Sequence, residues 1–126
     1  MNEERANAMI QEIGGEIIRD PGVAEHDWDS LAVVAWEEGP LSNCFGYRYL
    51  GDEIAAIEFE TEGLLDLFME LRGAMAEGEP RPWLTCLYTI KKPNFEIEVD
   101  YDYDNRDRWK VNARNFDTMP ARLRPS

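Results

Sequence analysis

Residues 94–104, Asn-Phe-Glu-Ile-Glu-Val-Asp-Tyr-Asp-Tyr-Asp, alternate apolar and acidic side chains without a break. A period of two is the pattern of a β-strand with one buried and one wet face. Phe95, Ile97, Val99, Tyr101 and Tyr103 are therefore expected to face a core, with Glu96, Glu98, Asp100, Asp102 and Asp104 on the opposite side. At about 3.3 Å per residue the carboxylates recur every ~6.6 Å. Such a row of like charges is either well solvated or met by a cationic partner.

The rest of the chain is long enough to give this strand a sheet to join. Its 126 residues, 44% of them hydrophobic and including four Trp, five Tyr and five Phe, suit one compact domain spanning residues 1–126. No apolar run approaches the ~18 residues of a membrane span. The start, Met-Asn-Glu-Glu-Arg, lacks the basic and apolar regions of a signal peptide, so a soluble cytoplasmic protein is expected. Cys44 and Cys86 fall inside strand patterns, where buried free thiols are common, and give no disulfide framework.

The formal charge is −13, and it is unevenly spread. Residues 105–126 hold six basic groups (Arg106, Arg108, Lys110, Arg114, Arg122, Arg124) against Asp107 and Asp117, a local +4, which leaves −17 on residues 1–104. A body this acidic repels nucleic acid and anionic membrane and speeds encounters with basic proteins. The positive tail is expected to fold back on the acidic body and offset part of its self-repulsion.

Taken in order, Asn2 can cap a helix that carries Glu3 and Glu4 in its first turn and Ala6, Met9, Ile10, Ile13 and Ile17 on one face. Gly14-Gly15 allows a close helix-to-sheet approach but is too short a glycine pattern for a phosphate loop, and Asp20-Pro21-Gly22 stops the helix. Strand patterns follow at 28–37, 44–50 and 54–59. Thr61 is a candidate cap for a second helix bearing Leu64, Leu65, Phe68, Leu71, Ala74 and Met75, which ends near Gly78. After the stiff connector 79–82, residues 83–91 read as a strand that turns at Lys92-Pro93-Asn94 into the acidic strand. Residues 109–124 read as a short strand or loop and a weak helix interrupted by Pro120. The predicted fold is α+β: an antiparallel sheet of four or five strands, arranged as a meander, covered by an N-terminal and a central helix.

Few residue sets carry chemistry. Asp100, Asp102 and Asp104 imitate the start of a calcium loop, but the sixth position is Asn105 where glycine is needed and the twelfth is Val111 where a bidentate Glu is needed. Two carboxylates of the strand could serve as general acid and base, or as ligands in a metal-dependent hydrolase, although nothing selects a pair. His26 is the only histidine and has no motif linking it to Cys44 or Cys86. Trp28, Trp36, Trp83 and Trp109 could stack on bases only inside a basic groove, which this acidic body does not offer. No cofactor is indicated. What remains is the acidic strand face as a docking site for a basic protein, set against a plain solvated face and a generic acidic adaptor. Glu37, Glu38, Asp52 and Glu53 at neighbouring turns are candidates to extend it.

The order of elements, the Pro-Trp strand Pro-Trp-Leu-Thr-Cys-Leu-Tyr-Thr-Ile at 82–90 and the strand Phe-Glu-Ile-Glu-Val-Asp-Tyr-Asp-Tyr at 95–103 resemble the YezG-like immunity proteins of bacterial polymorphic toxin systems. The resemblance runs from the first helix to about Trp109 and is sharpest over 82–104. It implies a small α+β antitoxin, not an enzyme, that neutralises a cognate toxin domain, often a nuclease, inside the producing cell. Glu96, Glu98, Asp100, Asp102 and Asp104 would then be the partner-binding residues, without metal, cofactor or direct contact to nucleic acid.

Overall fold

The computed structural model describes residues 3–79 and 81–125. Helix α1 (Glu3–Arg19) places Glu3 and Glu4 in its first turn and Arg19 in its last, each charge suited to the adjacent end of the helix dipole. Ala6, Met9, Ile13 and Ile17 recur at three- and four-residue spacing and are buried, with Ile10 half-buried at the margin. The expected cap Asn2 and the connector residue Pro80 lie outside the described residues. Of the two central glycines, Gly14 faces the sheet: a Cβ there would lie 2.7 Å from Tyr88 Oη and 3.0 Å from Ile97 Cδ1. The bare backbone leaves room for the Tyr88 hydroxyl to donate to the Ile10 carbonyl. Gly15 looks instead toward the Arg19 side chain.

Asp20 both ends α1 and caps a one-turn helix, α2 (Pro21–Ala24), by accepting the Gly22 N–H at 2.9 Å. Strands β1 (Ser30–Trp36), β2 (Asn43–Leu50) and β3 (Glu53–Ala56) then run outward as a meander, and β4 (Thr85–Lys91) and β5 (Glu96–Asp102) form a hairpin. Between the two sets, helix α3 (Leu64–Ala76) carries the chain from the β3 edge back to the middle. The result is one antiparallel sheet in the order β3-β2-β1-β4-β5: a β1-β2-β3 meander and a β4-β5 hairpin that the crossover through α3 sets beside β1. The α+β fold expected from sequence is the fold observed.

Two local expectations are corrected. The N-cap of α3 is Gly63, at φ +94°, and Thr61 instead donates its backbone N–H to Asp20 Oδ2 at 2.8 Å. The third strand ends at Ala56, short of residue 59; Ile57 just beyond it still donates its N–H to the Gly46 carbonyl of β2 at 2.8 Å and buries its side chain in the core.

Leu31, Ala32, Val33, Val34 and Ala35 of β1 are all 0% exposed, so the sheet is covered on both faces. On one face Leu31, Val33, Cys86, Tyr88 and Ile90 pack under α1 and α3, with Phe68 and Trp83 filling the centre. On the other face Ala32, Val34 and Tyr49 lie beneath Trp109, Met119 and Leu123 of the C-terminal segment, residues 105–125. That segment is a strap with little regular structure, and its one helical turn, α4 (Met119–Arg122), holds Pro120 in its first turn, where a missing N–H costs nothing. Pro120 thus starts the helix that it was expected to interrupt. Its carbonyl accepts the Tyr49 hydroxyl at 2.6 Å.

The strap is basic, and most of its cations are engaged with the acidic body. Arg106 donates to the Glu37 carbonyl, Arg108 pairs with Asp102 at 3.3 Å, Lys110 with Glu38 at 3.0 Å, and Arg124 with Asp29 at 3.2 Å. Exposed pairs of this kind contribute roughly 0–1 kcal/mol each. The buried Trp109, Met119 and Leu123 therefore hold the strap more firmly than its charges do.

Candidate docking surface

β5 is the outer strand of the sheet, and among the described residues no strand lies beyond it. Its register on β4 aligns Ile97 with Ile90, Val99 with Tyr88 and Tyr101 with Cys86 on the helix-covered face. Glu96, Glu98 and Asp100 alternate with them and face the other side, opposite Lys91, Thr89 and Leu87. All three carboxylates are exposed, while Ile97, Val99 and Tyr101 are half-buried against the main core.

The row expected to hold five acids is shorter than the sequence pattern. Asp102 turns its carboxylate back on the chain, accepting the N–H groups of Asn105 at 2.7 Å and Asp104 at 2.8 Å, and the guanidinium of Arg108. Those backbone donors, with Arg108 beside them, hold its carboxyl below the usual carboxylate range. The arrangement is an Asx turn that ends the strand. Asp104 lies past that turn and pairs with Arg81 at 2.6 Å. Phe95 and Tyr103 also fall outside the strand: Phe95, at φ +55° in the turn, is exposed and packs edge-on against Trp28, and Tyr103 is 36% exposed.

The acids proposed to extend the row do not join it. Glu37 accepts the Gly39 N–H at 2.8 Å and faces Arg72 at 3.4 Å, and Glu38 is held by Lys110. Asp52 and Glu53 belong to the β2–β3 hairpin at the opposite edge of the sheet.

A feature that sequence reasoning missed lies on the other side of β5. Between α1 and the strand runs a groove of about 560 Å³ with a floor of Ile10, Met75, Ile97, Val99 and Tyr101 and a mouth that includes Glu3 and Asn7. Its one visible signal was the apolar half of the alternating pattern. That pattern shows which side chains share a face, and not whether a helix covers that face fully.

The other candidates resolve into packing. Trp28, Trp83 and Trp109 are buried and Trp36 is half-buried beneath Lys110, so they line cores and not a stacking surface. Cys44 and Cys86 are free and both flank Ala35, on strands either side of β1. Two strand spacings separate them by about 9–10 Å, beyond disulfide reach. Burial pushes the Cys44 thiol up to about 11 and raises that of Cys86 further, which keeps both protonated. Among the described residues no group of three or more His, Cys, Asp or Glu side chains is placed to hold a metal ion, and no helix is long and apolar enough to cross a membrane. In comparisons with known proteins the chain matches no family model and no curated protein.

Proposed function

We propose that this chain is an immunity-type protein: it acts in the cytoplasm of the cell that makes it, binding and neutralising a cognate toxin domain with a basic surface, a nuclease being the first candidate. One observation carries the reading. Glu96, Glu98 and Asp100 are displayed in a row on one face of β5, where Lys91 stands opposite Glu96 but Glu98 and Asp100 face the uncharged Thr89 and Leu87, and the strap's Arg108 and Lys110 pair with Asp102 and Glu38. A nuclease groove lined with Lys and Arg for phosphates is complementary to such a row.

Magnitudes define what the row can do. Three exposed ion pairs contribute roughly 0–3 kcal/mol in total, far short of the ~12 kcal/mol of a nanomolar complex. The charges therefore steer and orient the partner, and apolar contacts must supply most of the affinity. A spacing of ~6.6 Å is also twice the ~3.4 Å between phosphates along one strand of B-DNA. Occlusion of a basic groove fits this better than a full imitation of a nucleic acid.

The test is growth rescue. The C-terminal domain of the large protein encoded immediately upstream in the source genome is expressed with and without this chain. Restored growth together with a stable complex supports immunity. A harmless neighbour, or killing that continues unchanged, removes most of the support for immunity, and a rise in Tm with Mg²⁺ or Mn²⁺ but not with the toxin would then argue for the carboxylate-hydrolase alternative.

A further inference from the structure

We infer that the free edge of β5 is completed by a strand from the partner, and that this strand alternates basic and apolar residues over about seven positions. The inference deepens the proposed function and rests on it in taking the partner to be basic. β5 ends the sheet, and one edge of its seven-residue backbone has no neighbouring strand among the described residues. An added strand would extend the ladder, and its side chains would point alternately to the two faces of the sheet.

The two faces at this edge differ sharply. Residues placed opposite Ile97, Val99 and Tyr101 would drop into the groove of about 560 Å³ beneath α1. Residues placed opposite Glu96, Glu98 and Asp100 would meet carboxylates, since directly opposed cross-strand side chains share a face about 5 Å apart. The partner strand must therefore carry apolar groups at one parity and Lys or Arg at the other. Charge also rejects the commonest competing occupant, a second copy of this chain, because pairing β5 with itself would set acids against acids. Edge charges block self-association in many sheets, and here the same carboxylates select a basic strand. The length is bounded as well: the Asx turn at Asp102 closes one end, and Phe95 at φ +55° closes the other.

The probe is a capped synthetic heptapeptide alternating Lys and Val, added to the full chain and followed by NMR shifts and amide exchange. Two peptides serve as comparisons: one of the same composition with its lysines and valines in separate blocks, and one alternating Glu and Val. The alternating Lys-Val peptide should shift and protect the β5 amides and bind roughly tenfold more tightly than the blocked peptide. The Glu-Val peptide should not bind. The triple variant Glu96→Ser, Glu98→Ser, Asp100→Ser and the variant Asn7→Trp, which fills the groove from an exposed position on α1, should each weaken binding by about tenfold with an unchanged fold. Equal binding of blocked and alternating peptides, or shifts confined to residues away from β5, overturns the inference. Should the toxin domain be neutralised while β5 amides exchange at an unchanged rate in the complex, edge addition is wrong and the immunity role stands. Docking of the peptide without neutralisation of any toxin leaves the edge site standing and removes the proposed function.

Discussion

Asp20 is 1% exposed, and its carboxylate accepts three backbone N–H groups, from Gly22 at 2.9 Å, Glu60 at 3.0 Å and Thr61 at 2.8 Å. It thereby joins the end of α1 to the connection between β3 and α3, forty residues later. Burial alone would raise its pKa, but the N–H donors from Glu60, Thr61 and Gly22 outweigh it and hold the carboxyl below its ordinary 3.8. A folded pKa below the unfolded one gives stability that is present above pH ~3.9 and lost as pH falls through the folded value. Asp20→Ala should cost about 3 kcal/mol in urea unfolding near neutral pH, since three N–H groups lose their acceptor, and should flatten the acid-side decline in stability. Gly22 is a second exacting position: a Cβ would come within 2.0 Å of the Glu58 carbonyl oxygen, a backbone atom that cannot rotate away. Gly22→Ala is expected to cost about 2–3 kcal/mol by the same measurement, and an unchanged midpoint would contradict this packing. Sequence showed Asp20-Pro21-Gly22 as a helix stop, which it is. The bonds to Glu60 and Thr61 were not legible, because nothing local to Asp20 indicates which distant amides will need an acceptor.

Periodicity decided which elements could be read. α1, α3 and β5 carry clear patterns, and their positions follow from sequence to within a few residues. β5 proved shorter than its alternation because Asp102 takes the N–H groups of Asp104 and Asn105, so the last two acids of the pattern serve a turn and an ion pair. The strap had no such pattern. Its buried residues, Trp109, Met119 and Leu123, are unevenly spaced, and what they cover is set by the sheet and not by their own repeat. One clue did exist: the unbroken apolar run Leu31–Ala32–Val33–Val34–Ala35 is what a strand buried on both faces requires. Leu123, 2% exposed, tests the strap as a second core. Leu123→Ala should destabilise by about 2–4 kcal/mol, whereas Phe116→Ala, at a side chain 66% exposed, should stay within about 0.5 kcal/mol. Equal effects of the two on Tm would mean that the strap does not pack as described.

At the scale of the whole molecule, the strap covers one sheet face and pairs its own cations with Asp102, Glu38 and Asp29, away from Glu98 and Asp100 of β5. Composition revealed the excess of negative charge and the basic tail, and the tail's folding back was expected from charge alone. The site is a different matter. Alternation indicated that Glu96, Glu98 and Asp100 share a face, but the edge position of β5 and the groove beside it depend on strand order, which no local pattern encodes. The claim that these three carboxylates steer a basic partner is tested most directly by stopped-flow association of this chain with the purified toxin domain, from low to high salt. The unsubstituted chain should associate fast at low salt and slow by at least about tenfold as salt rises, while the Glu96→Ser, Glu98→Ser, Asp100→Ser variant starts slower and depends less steeply on salt. Identical rates and identical salt slopes for the two proteins would contradict the claim.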